Sequence, residues 1–270
     1  MIVKVQNLLI CALLPGVLLA SIASNAYGWA TITVNSLADP GQPGICTLRD
    51  AITAANTMTA TNGCRAGKGH DTIVFSASGT ITLADTLPEV VGNLTINGAG
   101  ITITGGIFGP FMGGVGEGME VGTGATLNLN NITIANGGSP STPPIGVGFG
   151  CIANLGTLTV TSSTFSSNGG DFNGFGGVYP GCIFNQGTAT ITNSVFSDNS
   201  DDDAIVNQGA LTVSNSRLTR NQGRGDGGII NEGTANITTS TFSSNGAKSS
   251  AICHRKFSCV RCVTRCRSYG

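Results

Sequence analysis

The chain has 270 residues, of which 13 are Lys or Arg and 14 are Asp or Glu, so its formal net charge is −1. Charged residues make up 10% of the sequence, against about 25% in a typical globular protein. This balance gives no electrostatic basis for binding nucleic acid or an anionic membrane surface, and the length suits a single solenoid domain of several coils.

Residues 1–30 have the pattern of a signal peptide. Lys4 supplies the positive charge, residues 8–23 form the apolar core, and small-residue cleavage sites end at Ala26 and at Ala30. A transmembrane anchor is the alternative, which the shortness of the apolar stretch disfavours. No later segment could span a bilayer, so we expect an exported protein, extracellular or at the outer membrane or cell surface, with no transmembrane anchor visible in this chain.

Residues 31–70 are predicted to form an N-terminal cap that contains a short helix. Leu48, Ile52 and Ala55 fall on one helical face, and residues 47–50 have the form of a capping box. A helix here would cover the open first end of a solenoid core.

Residues 71–252 are predicted to be the repeats of a right-handed parallel β-helix, an all-β solenoid. One cassette occurs four times, beginning at Gly156, Gly187, Gly209 and Gly233, so the steps are 31, 22 and 24 residues while the internal spacing is constant. Constant cassettes with variable spacers are typical of coils whose turns tolerate insertion, and the period of two within each cassette indicates a strand with one buried face. A β-sandwich is the alternative, but its strands would lack a fixed cassette. Weaker coils precede these at 71–83, 94–106 and 125–136, the last with its final Asn shifted by one place.

Three sets of residues recur in register and are expected to stack from coil to coil. Stacked Asn side chains can hydrogen-bond between coils, which offsets the cost of burying their amides. The Gly two places after each first-set Asn suits a turn that needs positive φ. The sets are Asn154, Asn185, Asn207 and Asn231; Asn168, Asn199, Asn221 and Asn245; and Phe165, Phe196, Leu218 and Phe242.

Residues 253–270 break the repeat and hold four of the nine Cys. We interpret them as translation in a shifted reading frame and expect this aberrant tail to lie outside the fold of a truncated chain. The alternatives are a terminal cap held by disulfides and a zinc site formed by His254, Cys259, Cys262 and Cys266. An unfinished last coil would expose an apolar end, so we also expect self-association through it.

The run CTLRDAI at residues 46–52, with Ala-Asn at 55–56, closely resembles the CSLREA motif domain, Thr47 and Asp50 standing where that motif has Ser and Glu. The FSSN and FSDN elements of the cassettes are similar to polymorphic outer-membrane protein repeats. Together these resemblances cover roughly residues 31–252. They imply a bacterial secreted or surface β-helix of adhesin type, a family without defined catalytic residues to carry over.

Export would permit disulfides. Cys46 and Cys64 flank the predicted helix and its loop, and we expect them to be bonded. Cys151 and Cys182 each lie five residues before a cassette Gly, so stacking would bring their Cα atoms near disulfide range. A disulfide and a pair of buried free thiols are equal alternatives there.

Candidate functional residues lie mainly in the spacers. A spacer at 169–181 carries aromatic side chains on a Gly-rich loop, which we consider candidates for contacting a carbohydrate or a host-surface ligand; a local apolar lid is the alternative. A turn near residue 200 collects acids, interpreted as solvated charges with a weak calcium alternative. His70 is assigned a structural role in a turn. The aromatic candidates are Phe172, Phe175 and Tyr179, and the acids are Asp198, Asp201, Asp202 and Asp203.

The outward strand positions of the cassettes are Thr, Ser or Asn, none of which is a general acid or base near neutral pH. We therefore predict an adhesin-like or structural surface protein without catalysis and without a cofactor. The alternative is a polysaccharide-active β-helix enzyme of the lyase or hydrolase type, missing coils beyond residue 252. A non-functional remnant is a third interpretation.

Overall fold

The computed structural model describes residues 28–105, 118–137, 151–169, 181–200, 203–223 and 227–246. The predicted signal sequence up to residue 27, the spacer aromatics and the Cys-rich tail lie outside these ranges. The helix α1 is Leu48–Thr57, and the strands are β1 (Gly28–Val34), β2 (Gly69–Phe75), β3 (Thr80–Leu83), β4 (Asn93–Asn97), β5 (Thr102–Gly105), β6 (Met119–Val121), β7 (Thr126–Asn130), β8 (Thr133–Ala135), β9 (Ile152–Asn154), β10 (Thr157–Thr161), β11 (Thr164–Ser166), β12 (Ile183–Asn185), β13 (Thr188–Thr192), β14 (Val195–Ser197), β15 (Ile205–Asn207), β16 (Ala210–Ser214), β17 (Arg217–Thr219), β18 (Ile229–Asn231), β19 (Thr234–Thr238) and β20 (Thr241–Ser243).

The strands form three sheets, and from β4 onward the chain visits the three in turn. Sheet A contains β1, β2, β4, β7, β10, β13, β16 and β19 in that order; sheet B contains β3, β5, β8, β11, β14, β17 and β20; and sheet C contains β6, β9, β12, β15 and β18. Neighbouring strands pair in parallel with the equivalent strand one coil away. The predicted all-β parallel β-helix with a short N-terminal helix is therefore confirmed.

The alternation within each cassette places its apolar residues in a continuous core. In β10, Leu158 and Val160 are fully buried, while the threonines that alternate with them face outward. The rings of Phe165 and Phe196 stack with centroids 4.7 Å apart and planes 6° from parallel, and Leu218 continues this column in register. A buried side chain of this size contributes about 2–3 kcal/mol, so the column stabilises neighbouring coils.

Both predicted Asn ladders form inside the coils. In the first, the Asn154 amide donates to Asn185 and Asn185 donates to Asn207, each at 2.6 Å, and Asn207 donates to Asn231 at 2.5 Å. Among the described residues, Oδ1 of Asn154 accepts no hydrogen bond, because Val121 occupies the equivalent position one coil earlier. This ladder therefore begins at an unsatisfied acceptor.

The second ladder has a different beginning. Asn168 donates to Asn199 at 3.0 Å, Asn199 to Asn221 at 2.8 Å, and Asn221 to Asn245 at 3.0 Å. One coil earlier the final Asn is displaced by one place, so the backbone N–H of Gly137 occupies the position and donates to Asn168 Oδ1 at 2.9 Å. A backbone group thus satisfies the acceptor that an Asn side chain satisfies elsewhere.

The role expected for the cassette glycines was wrong. None of the four has a positive φ; in the cassettes the left-handed conformation belongs instead to residues that directly follow the strands of sheets A and B, such as Ser162 and Asn193. A Cβ at Gly187 would collide with the carbonyl oxygen of Gly156, and one at Gly209 with that of Gly187. The cassette needs Gly because successive backbones approach too closely for any side chain.

The predicted cap helix is present and closes the N-terminal coil. Thr47 is its N-cap: its hydroxyl oxygen accepts from the Asp50 N–H at 3.3 Å, and the hydroxyl donates to the Asp50 carboxylate at 2.7 Å. Ile52 is fully buried on the face toward the core. The predicted disulfide between Cys46 and Cys64 is also present, with Cα atoms 4.5 Å apart, and it ties the start of the helix to the loop that follows.

Candidate functional site

The residues of the CSLREA-like motif hold the cap on the first coils. Arg49 pairs through two nitrogens with the carboxylate of Asp39, at 2.7 and 2.8 Å, and donates to the carbonyl oxygens of Asp85, at 2.8 Å, and Thr86. Its pKa is raised chiefly by the hydrogen bonds to Asp39. This guanidinium therefore joins the helix, the preceding loop and the connection after β3.

Asn56, near the C-terminal end of α1, attaches the helix to the loop before β4. Its amide nitrogen donates to the carbonyl oxygen of Glu89 at 2.6 Å, and its Oδ1 accepts from the N–H of Val91 at 3.2 Å. Asp50 meanwhile accepts from the amide of Asn62 at 2.6 Å. Each polar residue of the motif thus has a structural partner, and the motif forms a clamp rather than a reactive centre.

The outer face of sheet A is uncharged over its whole length. Each of its eight strands presents three outward positions, and none of these is Asp, Glu, Lys or Arg. Nearly all are Thr, Asn or Ser. The exceptions are Trp29, His70, Val74 and Ala210.

Two of these exceptions form an aromatic pair at the N-terminal end of the face. The indole of Trp29 stacks on the imidazole of His70, with centroids 5.2 Å apart and planes 25° from parallel. The side chain of Asn93 lies next in the same row, its amide nitrogen 3.2 Å from Nδ1 of His70. Trp29 is 79% exposed. Sequence reasoning missed this cluster because Trp29 was assigned to the signal segment, although the alternation of GWATITV places it outward.

Glu89 and Glu120 form a pair of neighbouring carboxylates that the sequence analysis also missed. Val90 and Val121 are bridged in parallel, and the N–H of Val90 donates to the carbonyl oxygen of Glu120 at 2.8 Å, which sets the two acids side by side. The pKa of Glu120 is raised, first by partial burial and then by the charge of Glu89. Both residues lie outside the cassettes, so no repeat pattern pointed to them.

The acids of the turn near residue 200 have separate roles. Both carboxylate oxygens of Asp198 accept from Arg220 on the next coil, at 2.6 and 2.7 Å, and these hydrogen bonds lower the pKa of Asp198. Asp203 is fully buried, whereas Asp201 and Asp202 lie outside the described residues. In the part of the chain that the structure describes, no three His, Cys, Asp or Glu side chains form a group suited to a metal ion.

Cys151 and Cys182 are buried free thiols, so of the two predicted alternatives the structure has the unbonded one. The N–H of Cys151 donates to the carbonyl oxygen of Cys182 at 2.7 Å. Burial, and secondly the hydrogen bond with Cys151, raise the pKa of the Cys182 thiol well above its ordinary value. Such a thiol is a poor nucleophile. We therefore assign the buried pair a packing role in the core.

The candidate ligand-contact residues Phe172, Phe175 and Tyr179 lie outside the described residues, and their role stays a prediction. Comparison of the chain with protein-family models, with curated proteins and with solved structures gave no match. No helix among the described residues is long and apolar enough to cross a membrane.

Proposed function

We propose that the chain is an exported surface protein of adhesin-like or structural type, in which the β-helix is a stiff scaffold without catalytic activity of its own. The observation that carries this proposal is the outer face of sheet A, which is regular, uncharged and lacks acid or base groups apart from His70. Such a face offers hydroxyl and amide groups for binding, but no pair of groups for proton transfer.

The start of β1 supports one of the two predicted signal-peptide cleavage sites. Gly28 pairs with Gly69 and Ala30 pairs with Asp71 in sheet A, and Ala30 is 6% exposed. Cleavage after Ala30 would remove three paired strand residues, whereas cleavage after Ala26 keeps β1 whole. We therefore expect the exported chain to begin at residue 27, which N-terminal sequencing of secreted protein would check; a chain that begins at residue 31 would contradict this.

Adhesion is tested by coating beads with the purified chain and counting beads bound to cultured epithelial cells and to bacterial cells. We expect binding above that of albumin-coated beads, and reduced binding after Phe172→Ala with Phe175→Ala. Val91→Ala removes an apolar side chain that is exposed on the described surface and is the control. If beads carrying the native chain bind no better than albumin beads to either cell type, the adhesin-like proposal fails.

A second candidate function, polysaccharide cleavage, is favoured by the Glu89 and Glu120 pair. Adjacent carboxylates with one raised pKa are the groups that glycoside hydrolysis uses. Release of reducing ends, or of unsaturated products, from pectin and alginate would reveal such an activity. Turnover that is lost in Glu120→Gln but kept in Asp198→Asn would replace the non-catalytic proposal by the enzymatic one.

A further inference from the structure

We infer that Trp29, His70 and Asn93 form the anchoring end of a binding surface for a neutral glycan along the outer face of sheet A. This inference rests on the proposed surface-binding function and names the ligand class and its location. It places this site on the first three strands of sheet A, in addition to the contact residues predicted on the aromatic spacer.

Trp29 is exposed at a position where the rest of the row is polar. Its row continues through His70, Asn93 and Thr126 in register, so the indole is the one large apolar surface on it. Exposing 79% of this side chain forgoes the stabilisation of burying a large aromatic group. Contact with a ligand would recover that stabilisation.

The indole is held in a defined orientation before any ligand arrives. His70 packs against one of its faces at 5.2 Å, and the Asn93 amide fixes the imidazole by contacting Nδ1 at 3.2 Å. The strands beneath are paired residue by residue from Gly28 to Val34. A preorganised aromatic side chain loses little conformational entropy on binding, and the opposite face of the indole stays available to pack on the C–H face of a sugar ring.

The surroundings of the indole are neutral hydrogen-bonding groups. Thr31, Thr72 and Thr95 form the next row, and adjacent strands lie about 4.8 Å apart while alternate residues of one strand lie about 6.6 Å apart. Hydroxyl and amide groups at this spacing can donate to and accept from the hydroxyls of consecutive sugar rings. Because no outward position carries a full charge, neither an acidic nor a basic ligand would be neutralised.

Two cations lie at the edge of this surface, and their position helps to distinguish a neutral from an acidic ligand. The stem of Lys68 lies beside Gly28, and Arg65 approaches the carbonyl oxygen of Thr31 at 3.5 Å. Both lie beside the edge strand β1, so an acidic polysaccharide would contact them only at that end of the face. A neutral glycan uses the indole and the hydroxyl rows together, and its binding is insensitive to salt.

The single Trp of the chain makes this site directly observable, since fluorescence excited at 295 nm reports on position 29 alone. The probes are soluble mixed-linkage β-glucan and galactomannan, with polygalacturonate as the acidic comparison. We expect at least one neutral polysaccharide to shift the emission to shorter wavelength, to protect the indole from acrylamide quenching, and to do so equally at 50 and 500 mM NaCl. Retardation in gels containing the same polysaccharide measures affinity without using the Trp signal.

The variants separate the site from the fold. Trp29→Ala changes an exposed side chain, so its circular dichroism spectrum should be unchanged while gel retardation weakens about tenfold or more; Trp29→Phe should keep part of the affinity. Val91→Ala, which removes an exposed apolar side chain elsewhere, should bind as the native chain does. Asn93→Ala should weaken binding less than Trp29→Ala.

Four results would overturn the inference. They are no response to either neutral polysaccharide, a response to polygalacturonate alone, gel retardation that Trp29→Ala does not weaken, and an emission shift caused by raising the protein concentration without glycan, which would assign the face to a second copy of the chain. Bead adhesion that persists in Trp29→Ala leaves the proposed function standing; together with any of these four results, it removes only this site. Glycan binding without bead adhesion leaves this site standing and removes the adhesin-like proposal.

Discussion

We predict that the buried Asn ladder contributes strongly to holding the coils together. Asn207 lies in the middle of the first ladder and is fully buried. The neighbouring residue, Gln208, lies in the middle of an exposed ladder, accepting from Gln186 at 3.0 Å and donating to Glu232 at 2.9 Å. Asn207→Ala and Gln208→Ala therefore remove two adjacent amides that differ mainly in burial.

The hydrogen bonds give the expected magnitude. The Asn207 amide nitrogen donates to Asn231 Oδ1 at 2.5 Å, to the Thr234 carbonyl at 3.0 Å and to the Gly209 carbonyl at 3.2 Å, and its oxygen accepts from Asn185 at 2.6 Å. The amide NH2 group has two hydrogens for these three acceptors, so two donated bonds and one accepted bond, at about 1 kcal/mol each, correspond to a loss of about 3 kcal/mol. The exposed amide of Gln208 exchanges its partners for water, so its removal should change the free energy of unfolding by about 0.5 kcal/mol or less.

Urea unfolding followed by far-ultraviolet circular dichroism measures both variants, and hydrogen exchange locates the effect. Since each coil contacts only its neighbours, Asn207→Ala should lower amide protection in β12 to β19 and leave β1 to β4 unchanged. The midpoint of thermal unfolding should fall by about 6–12 °C. If the two variants differ by less than about 0.5 kcal/mol, the reasoning that buried amide ladders stabilise the coils is refuted.

Three further predictions concern the ends and the carboxylates. Asp39→Asn should lower the free energy of unfolding by about 2–3 kcal/mol, because the Asp39 side chain is 2% exposed and forms a bidentate pair with Arg49 of the cap helix. Asp198→Asn, at the exposed pair, should show no measurable change in the same urea titration. Equal effects of the two substitutions would contradict the role given to the Arg49 pair. Replacing both Cys46 and Cys64 by Ser should cost about 3 kcal/mol, as expected for a closed loop of this length, and dithiothreitol should destabilise the native chain but not this variant. The folded state raises the pKa of Glu120 above 4.5, so ionisation of this carboxyl opposes folding. Glu120→Gln should therefore be more stable than the native chain as pH rises above that value, and equally stable below about pH 4. A stability gain confined to acid pH would contradict this direction.

Much of the architecture could be predicted because equivalent residues recur at the same positions of each cassette. Phe165 and Phe196 stand at one cassette position, so their stacking followed from spacing alone. The disulfide between Cys46 and Cys64 followed from their places on either side of the helix. The requirement for Gly at the cassette start was recognised but explained by the wrong cause, since the approach of Gly187 to the carbonyl of Gly156 depends on how tightly coils stack, which a single strand pattern does not reveal.

The candidate sites were harder to predict because they depart from the repeat. Glu89 and Glu120 are far apart in sequence and meet only through the bridge between Val90 and Val121, which no cassette spans. Trp29 precedes the repeats, so its partner His70 could not be inferred from spacing. The Arg49 pair with Asp39 likewise depends on a loop whose path is fixed by tertiary contacts rather than by local pattern.

The structural roles of the motif residues bear on where a function should be sought. Thr47 caps the helix, Arg49 and Asn56 attach it to neighbouring loops, and Ile52 fills the end of the core, so the requirements of closing a solenoid account for the whole motif. The inward positions of the cassettes are accounted for by the core and the ladders in the same way. Outward positions are the ones that stability leaves free, and a residue there that departs from Thr, Asn and Ser needs another explanation. Trp29 departs furthest, which is why the search for a ligand should begin at the first coil rather than at the motif.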